Sequence, residues 1–299
     1  MSEGKHRICY CNITYKCNNS CQNCVSYNVK RHTDREVTIE DYTFLQNHFH
    51  FGENDIWTIS GGEPTLSNNL IQIIDFCHHI SSHIIMYSNG RNLKNLPCDT
   101  LKKIERIIIP IYGDKDFHNN YVNSSYAFEE TMESIKKIIE VNPYKIDIKM
   151  LLKNGDNMEE LFTSHLWDFL GKNAHFSVSR VLPNIDDNKC SIDIAQKADK
   201  IIRNLLSLNK KIRFYDIPVC LLSEELQKFL TNTPTRYKQY DTNVICGSSK
   251  KRYKLFNFNK PTHIKTECKN CKKAYLCTMI MQNYFCPLVS NSEILITTE

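Results

Sequence analysis

Strand-like and amphipathic helical segments alternate along the first ~190 residues, and this rhythm narrows the fold more than any other feature. Strands are expected at Arg7–Thr14, Asp55–Ser60, Ile84–Ser88, Arg106–Tyr112, Lys145–Leu152 and His175–Leu182. Between them, Leu70, Ile73, Ile74, Cys77 and Ile80 repeat at helical spacing, as do Phe128, Met132, Ile135 and Ile139. The runs Ile107–Ile109 and Met150–Leu152 suit strands buried on both faces. Six strands, each followed by a helix, predict a parallel α/β sheet or an open barrel.

A further helix is expected over Ile192–Leu208, with Ile194, Ala198, Ile201, Leu205 and Leu208 on one stripe. Beyond about residue 215 the rhythm stops. From Cys246 to Cys286 the chain is rich in Cys, Lys and aromatic residues and poor in long apolar segments, so it needs metal to fold. The sequence therefore divides into a core, residues 1–215, and a small Cys-rich domain, residues 216–299.

Composition removes several function classes. Hydrophobic residues are 41% and charged residues 24% of 299, which is globular usage and excludes wholesale disorder. No run of ~18 apolar residues could span a membrane, and the N-terminus MSEGKHRICYCN lacks a signal-peptide core. A cytoplasmic protein is expected. A net charge of +5 is too mild to argue for nucleic acid. Fourteen cysteines in a reducing compartment point instead to metal or redox chemistry.

Cys17, Cys21 and Cys24 lie in TYKCNNSCQNC, directly after the first strand. Intervening Asn, Ser and Gln favour a loop on which three thiolates can meet one centre. A structural zinc site is normally closed by four protein ligands, whereas three leave a coordination position for a cofactor or substrate. The C-x3-C-x2-C spacing after a first strand resembles that of the radical S-adenosylmethionine (SAM) superfamily. In that family the three cysteines hold a [4Fe-4S] cluster whose fourth iron binds the amino and carboxylate groups of SAM. Ser60-Gly61-Gly62-Glu63-Pro64, at the end of the second strand, resembles the GGEP motif that binds the SAM amino group. Two glycines let backbone approach a ligand closely, and Glu63 offers a carboxylate to an ammonium.

The resemblance implies an α/β fold with a partial (β/α)6 barrel. It also implies cofactor-binding roles for residues at the later strand ends. Ser88 and Asn89 end strand three, Tyr112-Gly113 and His118 follow strand four, Asn154 follows strand five, and Arg180 ends strand six. Lys149 and Arg180 are candidates for the SAM carboxylate.

In the tail, Cys268-x2-Cys271-x5-Cys277 resembles part of the SPASM and twitch domains, which hold auxiliary iron–sulfur clusters. Cys246, followed by a hairpin-like stretch Tyr253–Phe258, suits an earlier ligand. Met281 stands where a full SPASM pattern has cysteine. One auxiliary [4Fe-4S] cluster is expected on Cys246, Cys268, Cys271 and Cys277, with Cys220 and Cys286 as rival ligands. Four such cysteines also serve zinc. A basic run from Lys250 to Lys273 is either a solvated face or a landing site for an acidic peptide or phosphate. Among the other cysteines, Cys77 is expected in the core, Cys9 and Cys11 are expected to alternate in and out of strand one, and Cys190 is a candidate hydrogen-atom donor.

The resemblance implies an enzyme that cleaves SAM reductively to a 5′-deoxyadenosyl radical, which abstracts a substrate hydrogen. An external flavodoxin- or ferredoxin-type donor would supply the electron. Members with such tails commonly mature ribosomal peptides, and some oxidise or epimerise carbohydrates and aminoglycosides. With the cysteine motif at residue 17, no fused N-terminal recognition domain is expected. A precursor peptide would then dock directly or through a separate recognition protein. A small-molecule substrate and a non-catalytic metal-binding scaffold are the alternatives.

Overall fold

The computed structural model describes residues 7–24, 36–143, 145–163, 165–181, 192–207, 212–215, 217 and 219–232, with four short strands at 235–237, 243–246, 253–256 and 294–296. The chain forms two compact units. The first holds residues 1–109, 119–147 and 240–257, and the second holds 110–118, 148–239 and 258–299.

Strands β1 (Ile8–Thr14), β2 (Ile56–Gly61), β3 (Ile84–Tyr87) and β4 (Arg106–Ile111) lie side by side in chain order. They run parallel, with Ile8 opposite Ile56, Trp57 opposite Ile84 and Met86 opposite Ile107. The N–H of Ile107 donates to the Lys145 carbonyl at 2.8 Å, bringing the start of β5 (Ile146–Leu152) beside β4. On the other edge, β9 (Asn243–Cys246) pairs parallel with β1 and antiparallel with β10 (Tyr253–Phe256). Tyr253–Phe256, part of the stretch Tyr253–Phe258 expected to be hairpin-like, is a single strand that pairs with β9 and extends this sheet, and residues 257 and 258 lie outside the described residues.

Helices α1 (Ile39–Phe49), α2 (Leu70–Ile80), α3 (Cys98–Lys103) and α5 (Ala127–Val141) belong to the first unit. Leu70, Ile73, Ile74 and Cys77 of α2 are buried, as are Phe128, Met132, Ile135 and Ile139 of α5, matching the stripes read from the sequence. Each fully buried aliphatic side chain contributes roughly 1.5–3 kcal/mol. Cys9 and Cys11 do not alternate. Residues two apart in a strand share a face, and these two sulfurs lie 3.7 Å apart in the core.

In the second unit, β6 (His175–Arg180) pairs parallel with β7 (Ile212–Tyr215). The N–H of Val181 donates to Leu152 at 2.8 Å, joining the ends of β5 and β6. Antiparallel partners follow, β11 (Ile294–Ile296) on β7 and then β8 (Thr235–Tyr237) on β11. Helix α7 (Ile192–Ser207) buries Ala198, Ile201 and Leu205 as its periodicity predicted. The α/β pattern continues further than the apolar periodicity suggests, through β7 and helix α8 (Glu224–Asn232), whose Leu226 is buried. Both remaining helices, α4 (Lys115–Val122) and α6 (His165–Asn173), are short. Among the described residues neither run of strands closes on itself, and the architecture is an open α/β sheet of the partial-barrel kind. Among the described residues, no helix is long and apolar enough to cross a membrane.

Candidate metal and cofactor site

Two backbone bonds hold the loop after β1 to the turn after β2. Gly62 donates to the Thr14 carbonyl at 2.7 Å, and Glu63 donates to the Lys16 carbonyl at 2.7 Å. Such close approach leaves no space for side chains. A Cβ on Gly61 would stand 2.1 Å from the Thr14 oxygen, and one on Gly62 would stand 2.2 Å from the Lys16 oxygen. Gly61 also has φ +140°, a conformation that L side chains rarely adopt. These two glycines admit the neighbouring loop. The sequence pattern suggests that they admit a ligand; the contacts that require glycine come from the chain itself.

Glu63 is fully buried. Its Oε1 accepts from the Thr65 backbone at 3.1 Å, the Thr65 hydroxyl at 2.7 Å and the Ser88 hydroxyl at 2.8 Å. Its Oε2 accepts the Asn89 N–H at 2.7 Å. Burial pushes this carboxyl above its ordinary range, and the donors from Asn89, Thr65 and Ser88 oppose that rise. A carboxylate has about four acceptor positions, and the chain supplies four donors. Pro64 then opens a short 3-10 turn, Pro64–Leu66, with Glu63 as its cap.

Asn89 links this turn to the cysteine loop. Its amide nitrogen donates to the Asn18 side-chain oxygen at 2.6 Å and lies 3.9 Å from the Cys17 sulfur. Asn19 donates its backbone N–H to the same sulfur at 3.4 Å. The second half of the loop is fixed separately, since Ser20 donates to the Val122 carbonyl at 2.9 Å and Gln22 to the Tyr121 carbonyl at 3.1 Å. Burial first, and the Cys21 thiol after it, raise the Tyr121 phenol above its usual range, with Cys24 adding to the effect. The Tyr121 hydroxyl donates to the Asn23 side-chain oxygen, between Cys21 and Cys24 in the loop, at 3.4 Å.

Cys17, Cys21 and Cys24 are half-buried thiols that form no disulfide with one another. Among the described residues, no three Cys, His, Asp or Glu side chains converge on the position of a single metal ion. Three thiols on one loop, with the Asn19 backbone nitrogen and the Asn89 amide nitrogen 3.4 and 3.9 Å from the Cys17 sulfur, are a donor set that suits a multi-iron cluster, in which separate irons take separate thiolates. The residues present fit an iron–sulfur cluster with an open iron.

Lys149, Asn154 and Arg180 belong to the second unit. Lys149 is half-buried on β5, Asn154 is exposed just after it, and Arg180 is buried at the end of β6. Tyr112 and His118, also there, have ring centroids 5.6 Å apart. Cys220 is exposed. The backbone of Cys246 sits on β9 opposite Cys11. Cys190, Cys268, Cys271, Cys277 and Cys286 lie outside the described residues, as does most of the basic run. Sequence reasoning missed Arg91, Thr65 and Tyr121. Nothing local marks them, because their partners come from other loops.

A model of the radical SAM superfamily matches residues 11–164, which include all three loop cysteines, the Gly61–Pro64 turn and Ser88-Asn89. No curated protein sequence matches the chain. Among solved structures, Streptococcus suis SuiB bound to S-adenosylmethionine is similar with a TM-score of 0.56 and 16% identity, over 70% of this chain and 50% of that one. SuiB bound to its precursor peptide SuiA gives a TM-score of 0.54 and 15% identity, over 68% of this chain and 46% of that one. The chain thus spans about half the length of SuiB, and at this identity the likeness is one of fold. Radical SAM enzymes use a [4Fe-4S] cluster and SAM, and with just over half its length matched by the superfamily's own model, the chain belongs to the radical SAM superfamily.

Proposed function

We propose that this radical SAM enzyme acts in the post-translational maturation of a ribosomal peptide. The observation that carries the cofactor part of the reading is the backbone junction between the start of the Cys17–Cys24 loop and the Gly61–Pro64 turn, which brings that loop against a glycine-lined strand end. Support for a peptide comes from SuiB, a protein of similar fold solved with a precursor peptide. A cluster held by these thiols would, with SAM, supply one-electron cleavage of a sulfonium C–S bond and removal of a hydrogen atom from an unactivated C–H bond.

In this reading Cys17, Cys21 and Cys24 ligate the cluster. The Gly61–Pro64 turn, Ser88 and Asn89 form the adjoining cofactor wall, and Lys149, Asn154 and Arg180 are kept as cofactor candidates on the family resemblance alone. Glu63 keeps that wall in place through its bonds to Thr65, Ser88 and Asn89. Pairing to strands on either side and burial of the Ile59 and Met86 side chains stiffen β2 and β3 behind the wall. A rigid, water-poor wall orients the reacting groups and limits quenching. Cys246, Cys268, Cys271 and Cys277 would hold one auxiliary cluster, and an external low-potential protein would deliver electrons.

The test is anaerobic incubation with reductant, SAM and a panel of perdeuterated peptides, including any short peptide that a neighbouring gene encodes. Mass spectrometry should find deuterium in 5′-deoxyadenosine and a changed peptide mass. Label transfer from a deuterated sugar or aminoglycoside, with none from any peptide, would overturn the peptide reading.

A further inference from the structure

Arg91 follows the Ser88-Asn89-Gly90 turn and reaches across to the cysteine loop. One terminal nitrogen donates to the Asn18 carbonyl at 2.5 Å and to the Asn19 side-chain oxygen at 2.9 Å. Its Nε donates to Glu130 of α5 at 2.5 Å. The Arg91 side chain is only 14% exposed. The guanidinium therefore spans three elements that sequence separates widely, the β3 turn, the loop after β1 and helix α5. Two further bonds brace it, as Asn89 accepts the Arg91 N–H through its side chain at 3.0 Å and the Thr131 hydroxyl through its carbonyl at 2.9 Å.

The grip falls on the two residues that follow Cys17. Asn19, buried and tied to Arg91 through its side chain, is the residue whose backbone N–H points at the Cys17 sulfur. Hydrogen bonds to a ligating thiolate stabilise the extra electron of a reduced cluster and so raise its potential. Partners one step removed from a ligand also govern how firmly the metal is held.

We propose that Arg91, anchored by Glu130, is a positioning residue for the SAM cluster. It holds the Asn18–Asn19 turn so that Cys17 keeps its N–H donor, and thereby sets cluster retention and reduction potential. This rests on the family chemistry assigned above, but concerns a residue outside the cysteine and GGEP motifs. An arginine suits the task because its fork binds two loop acceptors and a carboxylate at once, whereas a lysine ammonium on one flexible stem cannot reproduce that planar geometry.

The experiment uses full-length, anaerobically reconstituted protein and follows the cluster EPR signal that responds to SAM. Variants are Arg91→Gln, Arg91→Lys and Glu130→Gln. Lys94→Ala serves as control, because the Lys94 ammonium pairs at 2.5 Å with Glu133 of the same helix instead of reaching the cysteine loop. Arg91→Gln should move the midpoint of that signal to more negative potential and lose iron to a chelator about 10-fold faster. Arg91→Lys and Glu130→Gln should fall between it and wild type, and Lys94→Ala should match wild type. These milder variants carry the test if Arg91→Gln does not fold.

Midpoints and chelation rates at wild-type values in the Arg91 and Glu130 variants would overturn the proposal. So would equal shifts in Lys94→Ala, which would reduce Arg91 to ordinary helix packing. A wild-type protein without a SAM-responsive signal would overturn the cluster assignment as well, and that measurement precedes every variant.

Discussion

Glu63 accepts the backbone N–H of Asn89 at 2.7 Å, a bond that ties the end of β2 to the end of β3 inside the core. With Ser88 and Thr65 donating to its other oxygen, this carboxylate fixes the shape of the strand-end wall. Glu63→Gln places an amide donor against one of these donors and should cost about 1–3 kcal/mol of stability. Chemical denaturation of the cluster-free protein measures this. Unchanged stability with abolished SAM binding would mean that the carboxylate serves the cofactor directly and braces nothing.

Glycine at position 62 is required by the neighbouring loop. Gly62→Ala drives a methyl group into the Tyr15 and Lys16 carbonyls and should either prevent folding or cost several kcal/mol. At Gly171 in α6, by contrast, an added methyl group would meet nothing within 4 Å. Gly171→Ala should therefore stabilise the protein by about 0.4–1 kcal/mol without changing SAM cleavage. Thermal unfolding of the two variants distinguishes crowding from a general intolerance of alanine.

At the start of the sheet, Asp55 receives the Arg7 guanidinium at 2.5 Å and the N–H groups of Arg7 and Gly52 at 3.0 and 2.9 Å. Burial alone would raise its pKa, but Arg7 and Gly52 outweigh burial and hold it below the ordinary 3.8. Because the unfolded chain takes up the proton first, the stabilisation is complete above about pH 5 and is lost as pH falls through the folded-state pKa. With Arg7 about one-third exposed, solvent screening keeps this loss small. Asp55→Asn should flatten this part of the stability–pH curve. An unchanged acid limb in the variant would remove Asp55 from the account.

The strand positions were legible because buried parallel strands write themselves as apolar runs, as Ile107–Ile109 does in β4. Strand β7 escaped notice because Ile212–Tyr215 has four residues, two of them charged or phenolic, and gains its place only by pairing with β6. At the site, the cysteine spacing and the Gly-Gly-Glu-Pro turn were readable as motifs. What the glycines make room for was not, since the Thr14 and Lys16 carbonyls are placed by chain trajectory. Arg91 was invisible for the same reason, its partners lying at positions 18, 19 and 130.

The central claim is that Cys17, Cys21 and Cys24 hold a cluster with one iron open to SAM. EPR of the dithionite-reduced protein, with and without SAM, tests it most directly, alongside a variant with all three cysteines changed to alanine. The account predicts a cubane signal whose shape changes when SAM is added to wild type, and no SAM-responsive signal in the triple variant. A response that survives loss of the three thiols, or a wild-type cubane indifferent to SAM, would contradict it.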